Sequence, residues 1–148
     1  MGAPSDLSGT LAQACCERVN FLSTPTKWTQ GCEFVNITED DDFCTQKGIQ
    51  LAVSGLRSSR DAVWFAPPCT GESSWQRLSI VRHPQLLPLL LADRALCMRL
   101  FRSFRIVASH AISVGAQVYM ELPRYCGCWK YTSVKSLTKR LGFKECIF

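Results

Sequence analysis

The sequence lacks the short motifs that identify most nucleotide-binding and metal-binding proteins. It contains neither a G-x-x-x-x-G-K-[ST] loop nor a G-x-G-x-x-G turn, so both nucleotide fingerprints are missing. It has only two histidines, His83 and His110, and neither is close in sequence to Cys69, so a Cys–His hydrolase has little support. The cysteines do not show the paired C-x₂-C spacing of structural zinc sites. We therefore predict no metal site.

Long apolar runs are also missing. The longest apolar stretch, residues 86–92, contains Pro88 and is too short to span a bilayer. The first residues show neither the charged region nor the apolar region of a signal peptide. Nine cysteines in a chain without an export signal are expected to be reduced thiols. These features predict an intracellular protein, in the nucleus or the cytoplasm, that has no membrane partner.

Acidic residues are scarce in the second half of the chain. Residues 1–75 hold 5 Lys/Arg against 9 Asp/Glu, a net charge of −4, whereas residues 76–148 hold 12 against 3, a net charge of +9. A basic half is compatible with a polyanionic partner such as DNA or another nucleic acid. The same charges suit a solvated helix face equally well, and both interpretations stay open. No feature of the sequence indicates an oligomeric state.

The most informative stretch is an apolar run, residues 62–66, that ends at two prolines and is followed by Cys69. Such a run, bounded by turn signals, is typical of a strand buried on both faces, and the prolines cannot extend a central ladder. A second short strand, residues 117–122, carries Glu121 near its end. A helical pattern lies between them, and a right-handed crossover would place Cys69 and Glu121 at one crevice. A cysteine that only fills the core is the alternative.

The remaining elements predict an α/β protein. Residues 33–38 alternate as a strand, helical spacing is clearest over residues 93–114, and Gly115 is placed as a C-cap. The further predictions are helices from 8 to about 19, over 45–56 and over 133–141, and a final strand over 143–148. This order indicates an open, mostly parallel, doubly wound sheet. We predict an N-terminal segment with a short helix over 1–32 and an α/β domain over 33–148, which stops within its last strand as an incomplete domain would.

One predicted strand ends in Pro67-Pro68-Cys69, and one crossover later a second strand ends in Glu121. This arrangement resembles the central part of DNA cytosine-5 methyltransferases. The Leu141-Gly142-Phe143 junction is similar to one in that family, and the resemblance covers roughly residues 33–148. It implies the Rossmann-like fold of class I methyltransferases. It also implies that Cys69 is the nucleophile that attacks C6 of a flipped cytosine, while Glu121 holds the base at its N3 edge.

The same resemblance implies S-adenosylmethionine as the cofactor. The acids that follow the predicted strand 33–38 would lie near its adenine, and the implied cofactor-binding residues are Asp41, Asp42 and Pro67. DNA phosphates would be met by basic side chains of the second half, namely Arg77, Arg102, Arg105 and Arg124.

Departures from the family pattern predict a fragmentary domain or impaired activity, so we leave open whether the chain is an enzyme. The family's Glu-Asn pair is Glu121-Leu122 here, and no glycine-rich first turn is found. The chain also looks like eukaryotic reading frames with a Pro-Cys-Thr-Gly…Trp pattern, some of them associated with mobile elements. The alternative function is therefore a non-enzymatic α/β domain, derived from a mobile element, that binds nucleic acid or another partner.

Overall fold

A computed structural model of the protein describes residues 8–15, 24, 26 and 30–146. The strands are β1 (Thr10–Ala14), β2 (Glu33–Ile37), β3 (Ala62–Phe65) and β4 (Gln117–Met120). The helices are α1 (Gln46–Ser54), α2 (Ser74–Arg82), α3 (Leu87–Ser113) and α4 (Thr132–Arg140). Short 3₁₀ turns occupy Glu39–Asp41, Thr70–Glu72, Pro84–Leu86 and Gly127–Lys130.

The four described strands form one sheet in the order β2-β1-β3-β4, and all pairs are parallel. Ala14 of β1 lies opposite both Ile37 and Phe65, and Phe65 lies opposite Met120. The predicted α/β class with a parallel sheet is confirmed. From β1 the chain moves first to β2 on one side and then to β3 on the other. The carboxyl ends of β1 and β3 thus flank a topological switch point, where open α/β sheets place their ligands.

Helices α1 and α3 pack on the same face of the sheet. The ring of Phe65 stacks on Phe104, with centroids 4.2 Å apart, and meets the edge of Phe101 at 5.4 Å. On the opposite face, the Gln13 amide donates a hydrogen bond to Asn36 at 3.1 Å. The core thus lies between the sheet and α3, and α3 extends beyond the carboxyl edge of the strands because its 27 residues span about 40 Å.

The helix predicted from residue 8 to about 19 is wrong over residues 10–14, which form β1 at the centre of the sheet. Residues 16–19 of that prediction lie outside the described residues. A strand buried on both faces need not alternate, so the spacing of a few apolar residues cannot separate it from a helix. The sheet therefore begins well before residue 33, where we expected the α/β domain to start.

Two further boundaries differ from the predictions. Helix α3 begins at Leu87 rather than near residue 93, because Pro88 lies in its first turn, where a missing N–H costs no hydrogen bond. Residues 143–146 are not a strand, and 147–148 lie outside the described residues. The C-cap prediction is confirmed in its geometry: Gly115 has φ +80°, and the N–H of Ala116 donates to the carbonyl of Ala111 at 2.8 Å.

Candidate functional site

The loops that carry Cys69 and Glu121 leave the same edge of the sheet. Strands β3 and β4 are parallel neighbours, and the N–H of Glu121 donates to the carbonyl of Phe65 at 2.9 Å. Pro67 is buried, and Cys69, which immediately precedes the turn Thr70–Glu72, is partly buried. The two strand ends therefore lie side by side, as the predicted strand–helix–strand unit required.

The buried acid at this edge is Glu72, which the sequence prediction missed. Its side chain is only 7% exposed, and its Oε1 lies 2.7 Å from Nε of Arg94 on α3. The hydroxyl of Tyr131, which precedes α4, donates a hydrogen bond to the same oxygen. Burial and this bond to Glu72 raise the pKa of Tyr131 to about 12, so the hydroxyl stays protonated as a donor. By contrast, the side chain of Glu121 is exposed.

The loop after β4 lies directly against Glu72. A Cβ on Gly127 would collide with the Glu72 carboxylate, so a larger residue here would displace the side chain that Arg94 and Tyr131 hold. The approach carries Cys126 and Cys128 into the site, where they are 4% and 0% exposed. The short 3₁₀ turn Gly127–Lys130 thus positions two thiols beside the loop that holds Cys69.

Four thiols from three elements meet here, and we name them the thiol cluster: Cys69, Cys97, Cys126 and Cys128. Cys97 comes from α3 and is 2% exposed, and its Sγ lies 3.4 Å from Sγ of Cys128. None of the four cysteines of the thiol cluster forms a disulfide. The C-x-C spacing of Cys126 and Cys128 does not predict a zinc site, and nothing in the local sequence connects these two cysteines with α3.

The members of the thiol cluster differ in acidity. Burial raises the pKa of Cys69, and the neighbouring thiol of Cys126 raises it further. Burial also raises the pKa of Cys126, to about 11. The hydrogen bond with Cys97, together with burial, raises the pKa of Cys128, and that bond lowers the pKa of Cys97. Cys97 is therefore the thiol that most readily becomes a thiolate, with Cys128 as its hydrogen-bond donor, and Cys69 remains a neutral thiol near pH 7.

The two predicted cofactor-binding acids cap local turns after β2. One oxygen of Asp41 accepts hydrogen bonds from the backbone N–H and the hydroxyl of Thr38, at 2.9 and 3.1 Å. Oδ1 of Asp42 accepts from the N–H of Cys44 at 3.0 Å. These contacts give both acids a structural role at the carboxyl end of β2.

The first residue of the turn after β1 is Cys15. Cofactor-binding sheets place glycine at this turn, so that the backbone can approach the ligand closely. Here Cys15 occupies the position with φ +65°, a left-handed conformation that carries a side chain at a steric cost. The thiol of Cys15 is close enough to oppose ionisation of Cys97.

The three predicted arginines whose side chains are described are all exposed. Arg124 follows β4 and is exposed, with its guanidinium carbon 5.6 Å from the ring centre of Tyr125, which is 79% exposed. Arg102 and Arg105 lie on the exposed side of α3. The side chain of Arg77, on α2, is not among those described. Of the three predicted arginines with described side chains, only Arg124 lies in a loop that leaves the carboxyl end of a strand.

Within the described ranges, no group of three or more His, Cys, Asp or Glu side chains is arranged to hold a metal ion. None of the helices in the described part of the chain combines the length and apolar character needed to cross a membrane. Comparison of the chain with protein-family models, with curated proteins and with solved structures finds no match.

Proposed function

We propose that this chain is a methyltransferase-like α/β domain related to DNA cytosine-5 methyltransferases, with Cys69 as the residue that contacts the base. One observation supports this most strongly: the Pro67-Pro68-Cys69 loop and Glu121 leave neighbouring parallel strands at one carboxyl edge. The order β2-β1-β3-β4 also agrees with the start of a doubly wound order, and on this basis we assign the sheet to the Rossmann-like class.

In this proposal Cys69 attacks C6 of a cytosine and Glu121 binds its N3 edge. A cytosine in a duplex must first be flipped out of the stack. The attacking species is the thiolate, and the raised pKa of Cys69 leaves little of it near neutral pH. Slow attack follows from this, in agreement with the impaired activity that the sequence predicts. S-adenosylmethionine would supply the methyl group when bound, with Cys15 in place of the glycine expected directly after β1.

Calorimetric titration with S-adenosylmethionine tests this proposal. The methyltransferase function requires saturable binding to the wild type and to Cys69→Ser, because Cys69 belongs to the base site. Binding should weaken in Asp42→Asn, which can still accept the hydrogen bond from Cys44 and so keeps the turn. A folded wild type that binds no S-adenosylmethionine would overturn the methyltransferase function.

A second candidate function is non-enzymatic nucleic-acid binding by a domain derived from a mobile element. The supporting observation is a row of exposed arginines on α3 at intervals of three residues, Arg99, Arg102 and Arg105. The exposed ring of Tyr125, with Arg124 beside it, offers a stacking surface for an unpaired base. Steeply salt-dependent nucleic-acid binding without cofactor binding would favour this function.

A further inference from the structure

Two thiols of the cluster lie close enough to react with each other. Sγ of Cys97 and Sγ of Cys128 are 3.4 Å apart, so an approach of roughly 1.4 Å would bring them to the length of a disulfide bond. Cys97 is fixed by the long helix α3, whereas Cys128 lies in the short turn Gly127–Lys130. The turn is outside the sheet, so it can move toward α3 without breaking a strand pair.

We propose that Cys97 and Cys128 form a reversible disulfide when the protein meets hydrogen peroxide, so that the pair is a redox modification site. The pair does not depend on a cofactor or on the proposed methyltransferase function. Its two residues come from elements that meet only in the folded chain, α3 and the loop after β4.

The chemistry balances with peroxide as the oxidant. The thiolate of Cys97 attacks one peroxide oxygen, an S–O bond forms, the O–O bond breaks, and the leaving hydroxide takes a proton to give water. The sulfur of Cys128 then attacks the sulfenic sulfur of Cys97 and displaces hydroxide, which leaves as water with the proton of Cys128. In total, two thiols and one hydrogen peroxide give one disulfide and two waters.

The environment selects Cys97 as the attacking thiol. Within the thiol cluster, its pKa alone is lowered, and the hydrogen bond from Cys128 is the cause. Burial raises the pKa of both Cys69 and Cys126. Oxidation is therefore expected at Cys97 first, with Cys128 as the resolving thiol.

The disulfide would also change the candidate functional site. Cys126, two residues before Cys128, adjoins Cys69. Tyr131, three residues after Cys128, binds Glu72. Drawing Cys128 toward α3 shifts the turn between these two contacts. Oxidation is therefore expected to change the rate at which Cys69 is alkylated.

Peptide mapping of the full chain tests the proposal. The folded protein is treated with hydrogen peroxide, blocked with iodoacetamide in denaturant and digested with trypsin without reductant. Cys97 then lies in peptide 95–99, Cys126 and Cys128 in peptide 125–130, and Cys69 in peptide 61–77. The proposal predicts a linked 95–99/125–130 species that carries one carbamidomethyl group, on Cys126. It is lighter by two hydrogens than the two peptides with Cys97 and Cys128 as free thiols, and dithiothreitol separates it into them.

Two variants of the same loop separate the neighbouring cysteines. Cys126→Ser should retain the link and Cys128→Ser should lose it, with circular dichroism confirming that both fold. If a variant does not fold, fragmentation of the linked wild-type peptide distinguishes Cys126 from Cys128. A link from 61–77 to 125–130 in place of the predicted one would overturn the proposal. So would full alkylation of Cys97 at a peroxide dose that oxidises the exposed Cys146.

Discussion

At the residue scale, the carboxyl edge depends on contacts between side chains that are far apart in the sequence. Glu72 is held by Arg94 on α3 and by Tyr131 before α4. Cys69 and Glu121 could be predicted at this edge from their neighbouring prolines, but Glu72 was missed. The local sequence shows only that Glu72 lies in the loop after the Pro-Pro-Cys motif. Glu72 becomes buried in the folded chain because the loop after β4 packs against it.

The first prediction concerns the acidity of Cys69. Because burial and the thiol of Cys126 raise its pKa, less thiolate is present at neutral pH than in a small-molecule thiol. Its rate of alkylation by iodoacetamide should therefore keep rising up to pH 9 without a plateau. Mass spectrometry of peptide 61–77 follows the reaction.

Two variants test the cause of this shift. Cys126→Ser should accelerate alkylation of Cys69, whereas Cys146→Ser, which changes an exposed thiol, should leave the rate unchanged. A plateau below pH 8 would contradict this assignment.

The second prediction concerns Asp61, which is 5% exposed just before β3. Its carboxylate accepts hydrogen bonds from the backbone N–H groups of Thr10, Arg57 and Ser58, each at 2.7 Å. An amide offers these donors a single acceptor oxygen. Asp61→Asn should therefore reduce the free energy of unfolding by about 2–3 kcal/mol at pH 7, as measured by urea denaturation. Glu145→Gln, an exposed change of the same charge, is the control and should have little effect.

The pH dependence of this loss follows from the direction of the pKa shift. Burial opposes ionisation of Asp61, but the hydrogen bonds to Thr10, Arg57 and Ser58 outweigh it and lower the pKa in the folded protein. The stabilisation is complete above the unfolded pKa of about 3.9 and is lost as the pH falls through the folded value. The difference in unfolding free energy between wild type and Asp61→Asn should therefore shrink below about pH 4. A difference that stays constant down to pH 2 would contradict this account.

At the element scale, some segments could be predicted because their ends are marked. Prolines follow β3 and Glu121, and Gly115 follows α3 with a positive φ, so the ends of these three segments were predicted to within two residues. Strand β1 carries no such marks, and its apolar residues also match helical spacing. Its place between β2 and β3 is a tertiary property, which no local pattern encodes.

The third prediction concerns the packing of α3 on the sheet. Phe104 is fully buried and stacks on Phe65. Phe104→Ala should reduce the free energy of unfolding by about 3–5 kcal/mol, because it removes a large apolar side chain and leaves a cavity between α3 and β3. Chemical denaturation checks this value. Ile106→Ala, two residues away and half-exposed, is the matched control and should cost much less. Equal losses in the two variants would show that α3 does not pack on the sheet through Phe104.

At the scale of the whole molecule, the order of the predicted elements gave the α/β class, and the composition of the two halves gave the charge asymmetry but not the arrangement of the charges. The basic second half supplies exposed arginines to α3, but Arg94 is used in the contact with Glu72. Sequence position therefore did not show which cations remain available to a polyanion. Only the folded chain separates Arg102 and Arg105 from the partly buried Arg94.

The fourth prediction tests the polyanion interface. Binding of single-stranded DNA is followed by fluorescence anisotropy at several salt concentrations. The double variant Arg102→Gln/Arg105→Gln should bind more weakly than the wild type. The slope of log K against log salt concentration should become less steep by roughly 0.7 for each phosphate that the variant no longer neutralises. Lys47→Gln/Arg60→Gln removes the same charge from other exposed positions and should change the slope less. Equal effects of the two pairs would indicate attraction by net charge alone.

Protection of Cys69 by nucleic acid tests the central claim of this account most directly. The protein is saturated with a single-stranded cytosine-containing oligonucleotide, and iodoacetamide labelling is followed at Cys69 and, in the same sample, at the exposed Cys146. If the carboxyl edge of the sheet binds the base, labelling of Cys69 should slow on saturation while that of Cys146 does not change. Unchanged labelling of Cys69 in the saturated complex would place the nucleic acid elsewhere and contradict the proposed function.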